Sequence, residues 1–105
     1  MMISQYEQYF KEECLLFNKI MADYKNRKLE DLNGIDELRR QALDLASNFV
    51  TIRSNSDVIA RKINTKQTQF SEWCYGKYRI LMEAHTDMSV DLTHARNDLR
   101  LYGTV

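Results

Sequence analysis

The chain has 105 residues, 44% of them hydrophobic and 29% charged, and its fifteen basic and fifteen acidic side chains cancel. That length suits one domain with a core that needs no metal or disulfide staple, and the charge balance gives no global field toward a nucleic acid or an anionic membrane. With no proline and only three glycines, the sequence offers little turn chemistry for strands, so an all-α fold is expected.

The N-terminal stretch Met1 to Phe10 carries polar residues every few positions, where a secretion signal would have a continuous apolar core. With two widely separated cysteines, Cys14 and Cys74, a reduced cytoplasmic protein is expected. The longest apolar run, Cys14 to Phe17, falls far short of the roughly 20 residues a membrane-spanning helix needs, so no membrane association is expected.

The first predicted helix covers about residues 3–31, with Ile3, Tyr6, Phe10, Phe17, Ile20, Met21 and Tyr24 along one stripe. Asn33-Gly34 reads as the turn that closes it, with Gly34 in the left-handed conformation and Asp36 and Glu37 in the first turn of the next helix. The second helix, about 35–64, holds the clearest pattern of the chain. Ile35, Leu38, Ala42, Leu45, Phe49, Ile52, Ile59 and Ile63 recur at steps of three and four or their sums, and the phase crosses Ser54-Asn55-Ser56 without slipping, as in a continuous helix.

The weak helix formers Asn64 to Thr68, with Lys66 at a core position of the repeat, mark the second turn. A third helix over about 69–102 opens with Phe70 and Trp73. Its stripe then shifts by four residues at Lys77 and continues through Leu81, Met88, Ala95 and Tyr102, a stutter in the repeat. Three segments of about 45 Å each predict a three-helix up-down-up bundle forming a single helical domain over 1–105. The alternative is a helical hairpin with one very long helix over 35–102, which would bury its stripe as a dimeric coiled coil.

Phe70 to Met82, FSEWCYGKYRILM, is the most unusual local composition. Tyr75, Tyr78 and Met82 form a second stripe apart from the core-facing Phe70 and Trp73, beside Lys77 and Arg79. Aromatics next to basic residues match the chemistry of binding hot spots, so Trp73, Tyr75, Tyr78, Arg79 and Met82 are the candidate partner-binding residues. Arg53, Arg61, Lys62, Lys66, Lys77 and Arg79 make the centre of the chain locally basic, and of these Arg61, Lys62, Lys66, Lys77 and Arg79 are candidates for gripping single-stranded nucleic acid.

Glu83, Asp87, Asp91, His94 and Asp98 step down one face, where a solvated surface or a dock for a basic partner accounts for them. Asp91 and His94 have the spacing of bundle metal ligands but lack a second matching motif, so no metal or cofactor is expected. Neither cysteine has a histidine near it in sequence and the glycines are scattered singly, which points away from an enzyme. The expected function is a small non-enzymatic protein-binding module, an adaptor, assembly factor or inhibitor that occludes a partner's surface and can also self-associate as a homodimer. An accessory protein on single-stranded nucleic acid is the runner-up, and a structural coiled-coil rod the third reading.

Overall fold

A computed structural model of the chain describes residues 5–102, and the side chains of residues 10–97. Within that range the chain folds into helices α1 (Gln5–Lys25), α2 (Leu32–Ser54), α3 (Ser56–Lys62) and α4 (Gln67–Tyr102). The expected start at residue 3, and the side chains of Ile3, Tyr6, Asp98 and Tyr102, lie outside the described residues.

The first junction differs from its expected place. α1 ends at Lys25 and α2 already begins at Leu32, so Gly34 sits inside the first turn of α2 without a positive φ. Asp31 is the reason: as N-cap its carboxylate accepts a hydrogen bond from the Gly34 N–H at 3.1 Å, satisfying one of the orphan donors of a helix start. A Cβ on Gly34 would come within 2.8 Å of the Asp31 Cγ, so the glycine serves the cap and not a left-handed turn. The cap moves the helix start ahead of Asp36 and Glu37, and the first turn of α2 holds no acidic residue.

The stripe of the second helix keeps its phase, yet the helix itself is broken at Asn55, with φ −108° and ψ 23°. Thr51, Ser54 and Asn55 turn their side chains back onto the carbonyls of Ser47, Val50 and Thr51 at 3.0–3.2 Å, the competition with backbone bonding that weakens a helix at such residues. Ile52, Ser56 and Ile59 are nevertheless all buried, so α3 continues the core face of α2 after the interruption. The second turn lies where it was expected. Asn64 takes φ 56°, the Thr65 N–H bonds the Ala60 carbonyl at 2.9 Å, and the Asn64 N–H bonds that of Arg61 at 3.4 Å. This is a Schellman C-cap in which asparagine fills the position usually held by glycine, and it excludes a single helix over 35–102.

α4 runs antiparallel to α2, with Arg53 meeting Ser71 and the Arg39 carbonyl meeting His85. α1 lies parallel to α4, with Phe10 beside Phe70 and Trp73 at one end and Arg27 beside Asp91 at the other. The bundle is therefore up-down-up, but its helices are not matched in length. At 1.5 Å per residue α4 is about 54 Å long against about 35 Å for α2. By the register above, Leu32 stands level with Leu92, so α4 runs on past the end of α2. The molecule measures 64 × 25 × 16 Å with a radius of gyration of 17.4 Å, well above the roughly 13 Å of a spherical domain this size.

The core is one continuous cluster from Phe17 and Ile20 of α1 through Phe49 and Leu45 of α2 to Phe70, Cys74, Leu81 and Met88 of α4. Cys74, fully buried, holds the central lane of α4, while Trp73 leans toward α1. The stutter at Lys77 is absorbed by chemistry: the half-buried ammonium lies 4.0 Å from the Phe17 ring centre and 5.2 Å from that of Trp73. No helix among the described residues is long and apolar enough to cross a membrane.

Candidate functional site

The α2/α4 hairpin has two flanks, and α1 covers only one. On the covered flank Trp73 is enclosed by rings, 4.8 Å from Phe10, 5.6 Å from Phe49 and stacked on Phe70 at 6.2 Å. Trp73 is thus a packing residue between α1, α2 and α4, separate from the other candidate partner-binding residues.

The uncovered flank carries Tyr75 and Tyr78, which stack on each other at 6.2 Å with their planes 28° apart. Helical spacing puts them beside α2, whose Arg53 guanidinium lies 4.9 Å from the Tyr75 ring centre while its Nε donates to Ser71 Oγ at 3.0 Å. Together with Phe49, Val50, Ser54 and Cys74 these residues line a groove of about 350 Å³. Val50 and Tyr75 keep 47% and 44% of their surface exposed, and Leu43, one heptad before Val50 on α2, keeps 39%. The groove therefore has an aromatic wall, an aliphatic wall and a cation fixed between them.

Met82 is half-buried one turn beyond Tyr78, and Arg79 reaches into solvent at 3.9 Å from Glu83; both border a shallow hollow of about 330 Å³ that also includes Tyr78. Four of the five aromatic-site candidates thus share one side of α4. Val50 and Ser71, which complete the groove, were not singled out from the sequence, and Arg53 was read only as part of the basic centre of the chain. A signal was there: Leu43 and Val50, with Arg39, Ala46 and Arg53 beside them, repeat at sevens outside the main stripe of α2.

The basic candidates do not converge. Arg61, Lys62 and Lys66 surround the α3/α4 turn, where the Arg61 Nε donates to the Asp57 carbonyl at 3.1 Å. Lys77 faces the covered flank, and Arg79 lies about 20 Å farther along α4 than Lys66. The acidic face is also partly occupied. The Arg27 Nε donates to Asp91 at 2.7 Å, the Tyr24 hydroxyl donates to Asp87, and the Arg27 guanidinium lies 4.5 Å from the Tyr24 ring centre. These contacts tie the end of α1 to α4, and the bond to Asp87 raises the Tyr24 hydroxyl above its ordinary range, with burial adding to it. Among the described residues no three His, Cys, Asp or Glu side chains gather as metal ligands would.

Burial pushes the Cys74 thiol at the floor of the groove up to about 11, against the opposing pull of Arg53, and burial likewise raises Cys14. Both thiols are held in the protonated form, the reverse of an activated nucleophile. A second large hollow, about 490 Å³ between the end of α1 and the start of α2, mixes Lys19, Lys28, Asp23 and Glu37 with no convergent set of one charge. Comparison with models of protein families, with curated proteins and with solved structures finds no match for this chain.

Proposed function

We propose that this protein is a non-catalytic binding module that buries part of another protein in the groove between α2 and α4. The observation that carries this reading is the pre-formed stack of Arg53, Tyr75 and Tyr78 beside the exposed Val50. Tyr and Arg dominate binding hot spots, and side chains already locked by neighbours lose little entropy when a partner arrives. The mechanism is occlusion of the partner's surface, with Met82 and Arg79 extending the contact along α4. The scattered basic residues lend the nucleic-acid reading no comparable focus. The two free cysteines, Cys14 and Cys74, suit work in a reducing cytoplasm.

Site-directed photo-crosslinking in the cell of origin tests this. A benzophenone side chain at Tyr75 is expected to capture a discrete protein partner, whereas the same group at exposed Leu29, far from the groove, captures none. Equal adducts from both positions, or none from Tyr75, would refute the proposed site.

A further inference from the structure

We infer that Asn33-Gly34 is a site of self-modification, at which Asn33 converts to aspartate and isoaspartate through a cyclic imide, and that Asp31 sets the rate by holding the Gly34 amide in the cap of α2. The site lies about 25 Å along α2 from Val50, and the inference does not depend on the binding-module reading.

The dipeptide supplies the reaction. No other asparagine of the chain is followed by glycine, and a residue without a Cβ leaves the attacking nitrogen unshielded. The Gly34 nitrogen, losing its hydrogen to a base, attacks the side-chain carbonyl carbon of Asn33 and closes the imide. The carbon–nitrogen bond of the side-chain amide breaks, and its nitrogen takes up a proton and leaves as ammonia. Water then opens the ring. Attack at the side-chain carbonyl gives aspartate, and attack at the main-chain carbonyl gives isoaspartate, in which the chain runs on through the side-chain carbons. Water is the co-reactant, and nothing is oxidised or reduced.

The structure supplies the guard. Asn33 is exposed in the first turn of α2, so its side chain is open to water while its helical ψ turns the Gly34 nitrogen away from the side-chain carbonyl. The first backbone bond of this turn runs from the Ile35 N–H to the Asp31 carbonyl at 3.0 Å. Gly34 lies before it, among the orphan donors of the helix start, and its N–H is held at 3.1 Å by the Asp31 carboxylate. That carboxylate slows the reaction in two ways. It keeps the turn closed, and a negative charge beside the amide opposes loss of the amide hydrogen.

The two products differ in what they do to the fold. Aspartate leaves the main chain as it was. Isoaspartate puts one more carbon into the main chain before Gly34, so neither the Gly34 nor the Ile35 N–H stays in register with Asp31, and the first turn of α2 opens beside the hollow at the end of α1.

The test ages the full chain in mildly alkaline buffer and follows the tryptic peptide Leu29–Arg39 by mass spectrometry, with isoaspartate scored by an isoaspartyl methyltransferase. Folded wild type is expected to convert Asn33 at least about tenfold more slowly than the same chain in urea. Asp31→Ala should raise the folded rate about fivefold, with Asp31→Asn, which keeps a capping oxygen but not the charge, between the two. In urea all three should react alike, with isoaspartate the larger product. Folded wild type as fast as in urea, Asp31→Ala as slow as wild type, aspartate without isoaspartate, or Asn33 unchanged even in urea overturns the inference. Circular dichroism separates loss of the cap from loss of the fold. If Asp31→Ala loses helicity, Asp31→Asn decides alone: a rate above wild type upholds the guard, and an equal rate overturns it.

Discussion

The two flanks of the α2/α4 hairpin carry the same chemistry in different settings. On one, Lys77 lies against Phe17 and Trp73; on the other, Arg53 lies against Tyr75. In each a cation sits against an aromatic ring of α4, Trp73 or Tyr75, and composition alone does not tell them apart. What separates them is α1. It brings Phe10 and Phe17 over the first flank, so those rings are spent on folding, while the second flank keeps its rings, its cation and its aliphatic wall at the surface. The teaching is that an aromatic-basic cluster becomes an interface only when no part of the chain itself covers it.

The sharpest way to break this comparison is to truncate one ring on each flank. Trp73→Ala is expected to cost about 3 kcal/mol in urea denaturation, because it empties a site enclosed by Phe10, Phe49 and Phe70. A cost near that of a surface residue would mean α1 does not hold the covered flank. Next in size is the clamp that fastens the end of α1. Asp91→Asn weakens the half-buried pair with Arg27 and should cost about 1–2 kcal/mol, seen as earlier loss of amide protection in α1 than in α2.

The two helical glycines should respond in opposite directions. Gly34→Ala drives a methyl into the capping carboxylate of Asp31 and is expected to destabilise by about 1 kcal/mol, although alanine is the better helix former. Gly76→Ala meets nothing within 4 Å and should stabilise by about 0.5–1 kcal/mol in thermal melts. Smallest on the stability scale is Tyr75→Ala, under about 0.5 kcal/mol, while the same substitution in a chain carrying the benzophenone at neighbouring Tyr78 should lose partner crosslinking.

The floor between the flanks can be read by pH. The Cys74 thiol is fully buried and raised to about 11 from an ordinary value of 9.0. Above pH 9 the unfolded chain therefore ionises first, and stability should fall as pH rises toward 11 and show no contribution from this thiol below 9. Cys74→Ala should lack that component of the alkaline slope, which separates it from the raised Tyr24 hydroxyl acting in the same range. A parallel slope in both proteins would mean that the groove floor admits water.

Much of the fold was legible in the residues. Ile35 to Ile63 announced their face through spacing alone, and Asn64 to Thr68 announced a turn through weak helix formers. The exact devices were less so. Asn64 in a left-handed conformation does the work of a glycine, and Asp31 captures the helix start ahead of the Asn33-Gly34 pair, because a side-chain oxygen within reach of an orphan amide outweighs the local preference of a dipeptide. The site was half legible: Tyr75, Tyr78, Arg79 and Met82 stood out by composition, while Val50 and Arg53 joined them only through the antiparallel register of α2 on α4.

By itself, then, the sequence determined an all-α chain with three main apolar stripes and a surplus aromatic stripe on the last, because helical periodicity depends on each residue's neighbours three and four positions away. The tertiary structure decided which stripe is covered, since α1 reaches only one flank of the hairpin. Periodicity defines the faces of a helix, but the partner that each face meets follows from loop lengths, caps and register between segments distant in the chain.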